Sequence, residues 1–214
     1  MTEKIFWKEP YLTKFETEVI SIDNEIVSLK ETIFFALSGG QDSDNGFISG
    51  YQVLEAYKSD KEIFYILPKE HTLSIGDHVV VEIDWCRRYK LMRLHSAAEI
   101  VLEIFRTYSD STKIGAHISA DKARLDFEYN GNINNILPLI KSEVQKIIDS
   151  NSKIISDFSD DKNEIRFWEI EGLAKVACGG THPKYTGEIG EIMLKRKNIG
   201  KGKERIDILL VQSN

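Results

Sequence analysis

The chain lacks several features that mark large classes of protein. It has only two cysteines in 214 residues, too few for a disulfide framework. No apolar run approaches the length of a membrane span, and the sequence has no internal repeat or low-complexity tract. The first 12 residues carry four charged side chains, so they lack the uninterrupted apolar core of a signal peptide. We therefore expect a cytoplasmic protein that has no membrane partner.

The composition is ordinary for a soluble globular protein, with 42% hydrophobic and 29% charged residues. The length suits one large or two small domains. The net charge of −6 by itself argues against a nucleic-acid partner, but the basic residues are grouped. One group is Arg87, Arg88, Lys90 and Arg93, and the other is Lys195, Arg196, Lys197, Lys201, Lys203 and Arg205. Each group is either a solvated face or a contact for a polyanionic substrate.

The first part of the chain has the pattern of short antiparallel strands. Residues 15–37 contain short β-branched and apolar runs separated by turn-forming residues, which is typical of a hairpin or meander. A loop rich in glycine and aspartate follows at 38–46. Further strand-like runs lie at 47–48, 51–54, 63–66 and 78–83. The pattern predicts a small amino-terminal antiparallel β-barrel.

The pattern changes at Asp84, after which helices and strands alternate. Apolar residues recur at helical spacing over residues 87–108 and 133–149. Strands are predicted within residues 112–129, 165–176, 189–196 and 205–211. This mixture predicts an α+β fold, with helices packed on an antiparallel sheet. We expect two domains, residues 1–84 and 85–214.

Two pairs of metal-binding side chains suggest a metal centre. Cys178 and His182 lie four residues apart, and His95 and Glu99 are also four apart inside the first predicted helix. Helical residues at that spacing project from one face. Thiolate, imidazole and carboxylate groups are the side chains that bind zinc. The two pairs would form one metal centre if the fold joins them; the alternative is a buried cysteine near a loop histidine.

Several segments resemble the editing domain of alanyl-tRNA synthetases and its free-standing relatives, the AlaX trans-editing proteins. Residues 178–182 (CGGTH) and 186–190 (TGEIG) are similar to the hallmark of that family. Residues 88–95 resemble the approach to its first metal histidine, and residues 39–46 resemble its glycine-rich motif. Residues 123–127 also have a family counterpart. The resemblance runs along nearly the whole chain.

The resemblance implies an enzyme, an aminoacyl-tRNA deacylase. Its substrate would be tRNA(Ala) mischarged with serine, with the glycyl ester as a further candidate, and its cofactor would be Zn²⁺. Residues 1–84 would form a β-barrel domain that carries the glycine motif, and residues 85–214 would form the zinc-binding editing domain. The oligomeric state stays open, with a monomer favoured.

One position departs from the family pattern. Four residues after the first metal histidine the family has a second histidine, whereas this chain has Glu99. Glu99 is then a fourth ligand with His95, Cys178 and His182, or a base or outer group beside a three-ligand site. In a third alternative the site binds metal poorly and the protein has no activity.

The predicted catalytic set is completed by residues beside the metal. Gly179 and Gly180 would let the backbone approach the substrate and would donate N–H groups to a developing oxyanion. Thr181 either hydrogen-bonds the ribose or caps the turn. By resemblance, Thr32 is the threonine that recognises the serine hydroxyl. Glu99, Thr32, Gly179, Gly180 and Thr181 are therefore the candidate catalytic residues.

The predicted binding residues fall into two sets. Thr32, Gly39, Gly40 and Gln41 would bind the aminoacyl group, although Gln41 could also be a loop residue bonded to backbone. Contacts to tRNA are predicted for Arg87, Arg88, Arg93, Lys195, Lys197 and Lys201.

Two other functions stay open. The chain could be a catalytically inactive relative that binds tRNA, or a zinc hydrolase of small esters or amides. A steep dependence of activity on salt would favour a substrate bound through its phosphates.

Overall fold

The computed structural model describes residues 1–211, which form two compact units. The first unit spans Met1–Tyr89 and the second begins at Lys90. Helices and strands are present in both, and the α+β class predicted from the sequence is confirmed. The predicted division at residue 84, and the roles given to the two domains, stay predictions. No helix in the described part of the chain is long and apolar enough to cross a bilayer.

The first unit consists mainly of short strands. Its elements are β1 (Glu3–Lys4), α1 (Ile5–Lys8), β2 (Lys14–Asp23), β3 (Ile26–Leu29), β4 (Glu31–Thr32), β5 (Gly46–Ile48), β6 (Tyr51–Gln52), β7 (Glu55–Ser59), β8 (Glu62–Ile66) and β9 (His78–Ile83). Seven of these strands pair antiparallel in the order β6-β5-β9-β2-β3-β8-β7. The strands form a curled antiparallel sheet, and the predicted small amino-terminal β-barrel is not confirmed.

Alternation of side chains explains why this sheet has one buried face. In β9, Val79, Val81 and Ile83 are buried while the residues between them are more exposed, as the two-residue period of a strand requires. The backbones of β5 and β9 approach so closely at Gly46 that an added Cβ would lie 2.0 Å from the carbonyl oxygen of Glu82. The sheet therefore requires glycine at that position.

The second unit packs two helices on antiparallel strands. Helix α2 (Trp85–Tyr108) contains the residues at which the two units divide. It is followed by β10 (Lys113–Ile118), β11 (Ala123–Glu128), a 3₁₀ helix (Ile133–Asn135), α3 (Leu137–Asp149), β12 (Ile155–Asp160), β13 (Ile165–Ile170), β14 (Ala174–Ala177), a second 3₁₀ helix (Thr186–Ile189), β15 (Ile192–Gly200) and β16 (Lys203–Leu210). The strands form two antiparallel sheets, β10-β11-β16-β15 and β12-β13-β14.

The apolar periodicity of both helices matches their burial. In α3, Leu137, Ile140, Val144 and Ile148 are buried at the i, i+3, i+4 spacing of one face. Helix α2 contributes Leu94, Val101 and Phe105 to the same core, and the ring of Phe105 stacks on Phe127 of β11 at 4.0 Å between centroids. This core holds the helix that carries His95 in a fixed position on the strands.

Candidate metal centre

Three metal-binding side chains meet in the second unit. The donor atoms of His95, Cys178 and His182, called here the metal trio, all lie within 4.8 Å of one another. Cys178 Sγ is 3.5 Å from His95 Nε2 and 3.1 Å from His182 Nε2. The two imidazole rings lie 4.5 Å apart. Both histidines are buried and Cys178 is half-buried.

The strands β13 and β14 hold the loop that carries two members of the trio. The backbone N–H of Cys178 donates to the carbonyl oxygen of Arg166 at 3.0 Å, which extends the β13–β14 pairing to the cysteine. Arg166 Nη1 donates to the Gly180 carbonyl oxygen at 3.3 Å. Trp168, which is fully buried, lies with its ring 6.2 Å from that of His182. The loop is therefore anchored on both sides of its glycines.

Charge and burial have opposite effects on the pKa of His95 but act in the same direction on the pKa of His182. Burial alone would lower the pKa of His95, but the neighbouring Cys178 and Glu99 raise it to about 10. The pKa of His182 lies well below its usual value because of burial and the positive charges of His95 and Arg166. A metal ion binds the neutral form of both imidazoles.

Glu99 lies beside the trio, one helical turn after His95. Its Oε1 is 3.4 Å from His95 Nε2, and its side chain is 18% exposed. Burial on its own would raise the pKa of Glu99, but hydrogen bonding and attraction to His95 leave it below the usual value. The group of donors within 4.8 Å of one another contains His95, Cys178 and His182. Whether Glu99 is a ligand or a base stays a prediction.

The donor set of the trio fits a zinc ion. Zinc takes thiolate sulfur and imidazole nitrogen, and its catalytic sites use three protein ligands and keep one position for water or substrate. One thiol and two imidazoles from distant parts of the sequence meet here without a disulfide, since Cys178 is a free cysteine.

The other predicted residues of the loop differ in exposure. Gly179 is exposed, and a Cβ added there would contact nothing within 4 Å. Gly180 is buried and its carbonyl oxygen is bonded to Arg166, and Thr181 is 2% exposed. The roles of these three residues in catalysis stay predictions.

The predicted aminoacyl-binding residues belong to the first unit. Thr32 is fully buried, and its Oγ1 accepts hydrogen bonds from the Tyr65 hydroxyl at 2.6 Å and from a backbone N–H at 3.0 Å. Gln41 is also fully buried and closes a turn by two backbone hydrogen bonds to Ser38. Gly39 and Gly40 form that turn with positive φ angles of 59° and 87°. Their contact with substrate stays a prediction.

The basic residues separate into buried and exposed sets. Arg88 is fully buried: it pairs with Asp44 and donates to the carbonyl oxygens of Ile33 at 2.6 Å and Pro10 at 3.1 Å. This leaves Arg88 no exposed surface for the tRNA contact predicted from the sequence, and we exclude it from the RNA-binding set. Arg87 is half-buried and donates to Ser43.

In the second unit, Arg93 donates twice to the carbonyl oxygen of Ile189, at 3.0 and 2.7 Å. Lys195, Lys197 and Lys201 are exposed, on β15 and in the turn that follows it. These lysines have the exposure that a phosphate contact needs.

Three residues at the site were missed from the sequence. Ser96, Arg166 and Trp168 all contact the trio or its loop. The position of Ser96 next to His95 gave no signal, because adjacent residues of a helix do not share a face. Arg166 and Trp168 gave no signal, since their role depends on the pairing of β13 with β14.

Comparisons with known proteins agree with this geometry. Residues 165–207 match the family described as the Threonyl and Alanyl tRNA synthetase second additional domain. The chain is 32% identical to the Alanyl-tRNA editing protein AlaX-M of Pyrococcus horikoshii, over 98% of each chain. It is 32% identical to the AlaX-M of Saccharolobus solfataricus, over 96% of this chain and 98% of the relative. It is also 31% identical to the Alanine--tRNA ligase of Ignicoccus hospitalis, over 97% of this chain but 26% of that protein. The chain therefore belongs to the AlaX-M family of alanyl-tRNA editing proteins.

Proposed function

We propose that the protein is a zinc-dependent deacylase that hydrolyses the ester of tRNA(Ala) mischarged with serine, with the glycyl ester as a second substrate. The observation that carries the proposal is the convergence of His95, Cys178 and His182 within 4.8 Å. Membership of the AlaX-M family, over almost the full length of the chain, supplies the tRNA substrate. We place the activity in the cytoplasm, where charged tRNA is used.

In this proposal the metal trio holds the zinc ion. When bound, zinc polarises an ester carbonyl or lowers the pKa of water to about 7. Cys178 supplies a thiolate to the ion, and the two histidines supply Nε2 atoms, which already face the Cys178 sulfur at 3.5 and 3.1 Å.

Glu99 is proposed to act as a base rather than as a fourth ligand. Three protein ligands leave a position for substrate, whereas four resemble a closed structural site. Its Oε1 lies 3.4 Å from His95 Nε2, and its side chain is 18% exposed. The carboxylate would accept a proton from the attacking water. The amide groups of Gly179 and Gly180 are proposed to donate to the oxyanion of the ester.

Recognition of the aminoacyl group is assigned to residues of the first unit. Thr32, Gly39, Gly40 and Gln41 are proposed to bind the aminoacyl group. A pocket that hydrogen-bonds a serine hydroxyl rejects alanine strongly, because the buried polar groups would be left unpaired. This argument concerns the seryl ester alone, since glycine has no hydroxyl either. The exposed Lys195, Lys197 and Lys201 and the half-buried Arg87 and Arg93 are proposed to contact tRNA phosphates.

The proposal is tested with purified, zinc-loaded protein and tRNA(Ala) charged with serine, glycine or alanine. We expect about one zinc per chain and faster hydrolysis of the seryl ester than of the alanyl ester. Cys178→Ala should lose both zinc and activity, whereas Cys86→Ala, at the exposed free cysteine, should keep both.

Three results would contradict the proposal. An intact seryl ester after incubation with zinc-loaded protein would leave a tRNA-binding protein without activity. Hydrolysis of small esters that is insensitive to salt and unaffected by tRNA would indicate a hydrolase with a different substrate. Full activity without zinc would remove the metal from the reaction.

A further inference from the structure

Ser96 contacts the metal trio without being part of it. Its side chain is fully buried, and its Oγ lies 2.8 Å from Nδ1 of His182. We propose that Ser96 is a positioning residue, whose hydroxyl fixes the ring of His182 so that Nε2 faces the metal. This inference rests on the proposed function, because it requires that the trio binds zinc.

The two ring nitrogens of His182 have different partners. Nδ1 faces Ser96 Oγ at 2.8 Å, and Nε2 faces Cys178 Sγ at 3.1 Å. A half-turn of the ring would replace both nitrogens by carbon atoms at these positions. Because His182 is only 4% exposed, water cannot readily replace the lost partners. The bond to Ser96 therefore opposes a rotation that would withdraw Nε2 from the metal position.

The hydrogen bond also favours the tautomer that binds metal. An imidazole that gives the lone pair of Nε2 to a metal carries its proton on Nδ1. That N–H needs an acceptor, and the Ser96 oxygen is at donor–acceptor distance. Outer partners of this kind fix the tautomer and the ring orientation of metal-bound histidines.

Helix α2 carries one ligand, His95, and also the residue that hydrogen-bonds to a second ligand, His182. His95 faces Cys178, and the next residue, Ser96, bonds to His182. The two rings lie 4.5 Å apart. One rigid element therefore sets the positions of both imidazoles, although they are 87 residues apart in sequence.

The first test measures zinc affinity by competition with a chromophoric chelator. Ser96→Ala should weaken zinc binding about 10–100-fold, the usual cost of removing such a partner. Ser96→Thr, which keeps the hydroxyl, should restore the affinity. Ser156→Ala is a matched control in the same unit, since within residues 1–211 the buried Ser156 Oγ has no hydrogen-bond partner. An affinity for Ser96→Ala within twofold of the parent would overturn the inference.

The second test needs no variant and so does not depend on the folding of Ser96→Ala. Long-range ¹H–¹⁵N NMR of zinc-loaded, histidine-labelled protein should show His182 protonated at Nδ1. A proton on Nε2 would overturn the inference. If the parent binds zinc and hydrolyses the seryl ester while Ser96→Ala keeps full affinity, the role of Ser96 alone is wrong. A parent that binds no zinc overturns both proposals.

Discussion

Two buried polar clusters, one in each unit, involve helix α2 and differ in how their groups are satisfied. In the first unit, Arg88 and Asp44 are both fully buried and carry opposite charges. Asp44 also accepts a backbone N–H from Phe35 at 2.7 Å, and Arg88 donates to two carbonyl oxygens. The protein supplies the charge and hydrogen-bond partners of this pair itself. Such a cluster fixes a loop against a helix.

The metal trio in the second unit has the opposite character. Its members are potential lone-pair donors that face one another, and two of them are histidines only 4.5 Å apart. Burial and the positive charges of His95 and Arg166 hold the pKa of His182 well below its usual value. Buried polar groups that satisfy one another indicate structure, whereas buried ligand atoms that converge indicate a binding site.

The largest expected effect is the loss of zinc binding, which concerns the metal trio and not the Arg88–Asp44 pair. Cys178→Ala should reduce deacylation to the background rate and abolish stabilisation by zinc. At a free zinc concentration of about 1,000 times Kd, the parent should gain about 4 kcal/mol in free energy of unfolding. Denaturant titrations with zinc and with chelator measure this gain. A zinc-dependent gain retained by Cys178→Ala would contradict the assigned ligand.

Arg88→Met should show the reverse pattern. Asp44 would become an unpaired buried charge, so we expect a loss of about 3–5 kcal/mol in the free energy of unfolding. The zinc-dependent gain in free energy of unfolding should be kept, because Arg88 is not a ligand. Denaturant titration with and without zinc checks both parts, with Lys14→Met, at a pair exposed by 64% and 47%, as the control. A loss below about 1 kcal/mol would show that the buried pair contributes little to the stability of the fold.

Glu99→Gln tests whether Glu99 is a base or a metal ligand. As a base, Glu99 should contribute about 10²-fold to kcat, so the amide variant should lose that factor and keep its zinc affinity. Single-turnover deacylation and chelator competition separate the two quantities. A fall in zinc affinity would instead make Glu99 a ligand, and Glu99→His would then be expected to raise the affinity again.

The smallest expected effect concerns the exposed lysines. Replacing Lys195, Lys197 and Lys201 by Gln should weaken tRNA binding and flatten its dependence on salt by about 0.7–0.9 log units per lost phosphate contact. Filter binding across a range of salt concentrations measures the slope. The single variant Lys197→Gln is measured as well. Lys146→Gln, an exposed change on α3 that removes the same charge, is its control. Equal slopes for the parent and the triple variant would exclude these lysines from the RNA interface.

Local periodicity was enough to predict helix α2, which carries His95, and strand β9 of the first unit. The helical pattern over 87–108 corresponds to α2, Trp85–Tyr108, and the pattern over 78–83 corresponds to β9, His78–Ile83. These segments are long or strictly alternating, so the period is clear. The convergence of Cys178 with His95 could be inferred only from ligand chemistry and family resemblance, because 83 residues separate them.

The misses have physical causes. Strand β12, Ile155–Asp160, is not among the predicted strands, because its sequence is polar and acidic; its pairing with β13 overrides this low strand propensity. The single run predicted at 165–176 is two strands, divided by a turn at Gly172, where φ is 77°. The small barrel predicted for the first unit is not confirmed, and periodicity could not decide it, because it identifies strands without reporting which of them pair.

The burial of Trp168 provides an optical probe of the metal position. The sequence has three tryptophans, and Trp7 and Trp85 in the first unit are half-exposed while Trp168 is fully buried with its ring 6.2 Å from that of His182. Replacing the first two by phenylalanine leaves a single intrinsic fluorophore next to a proposed ligand. Its emission would report ion loading in real time, without any attached dye.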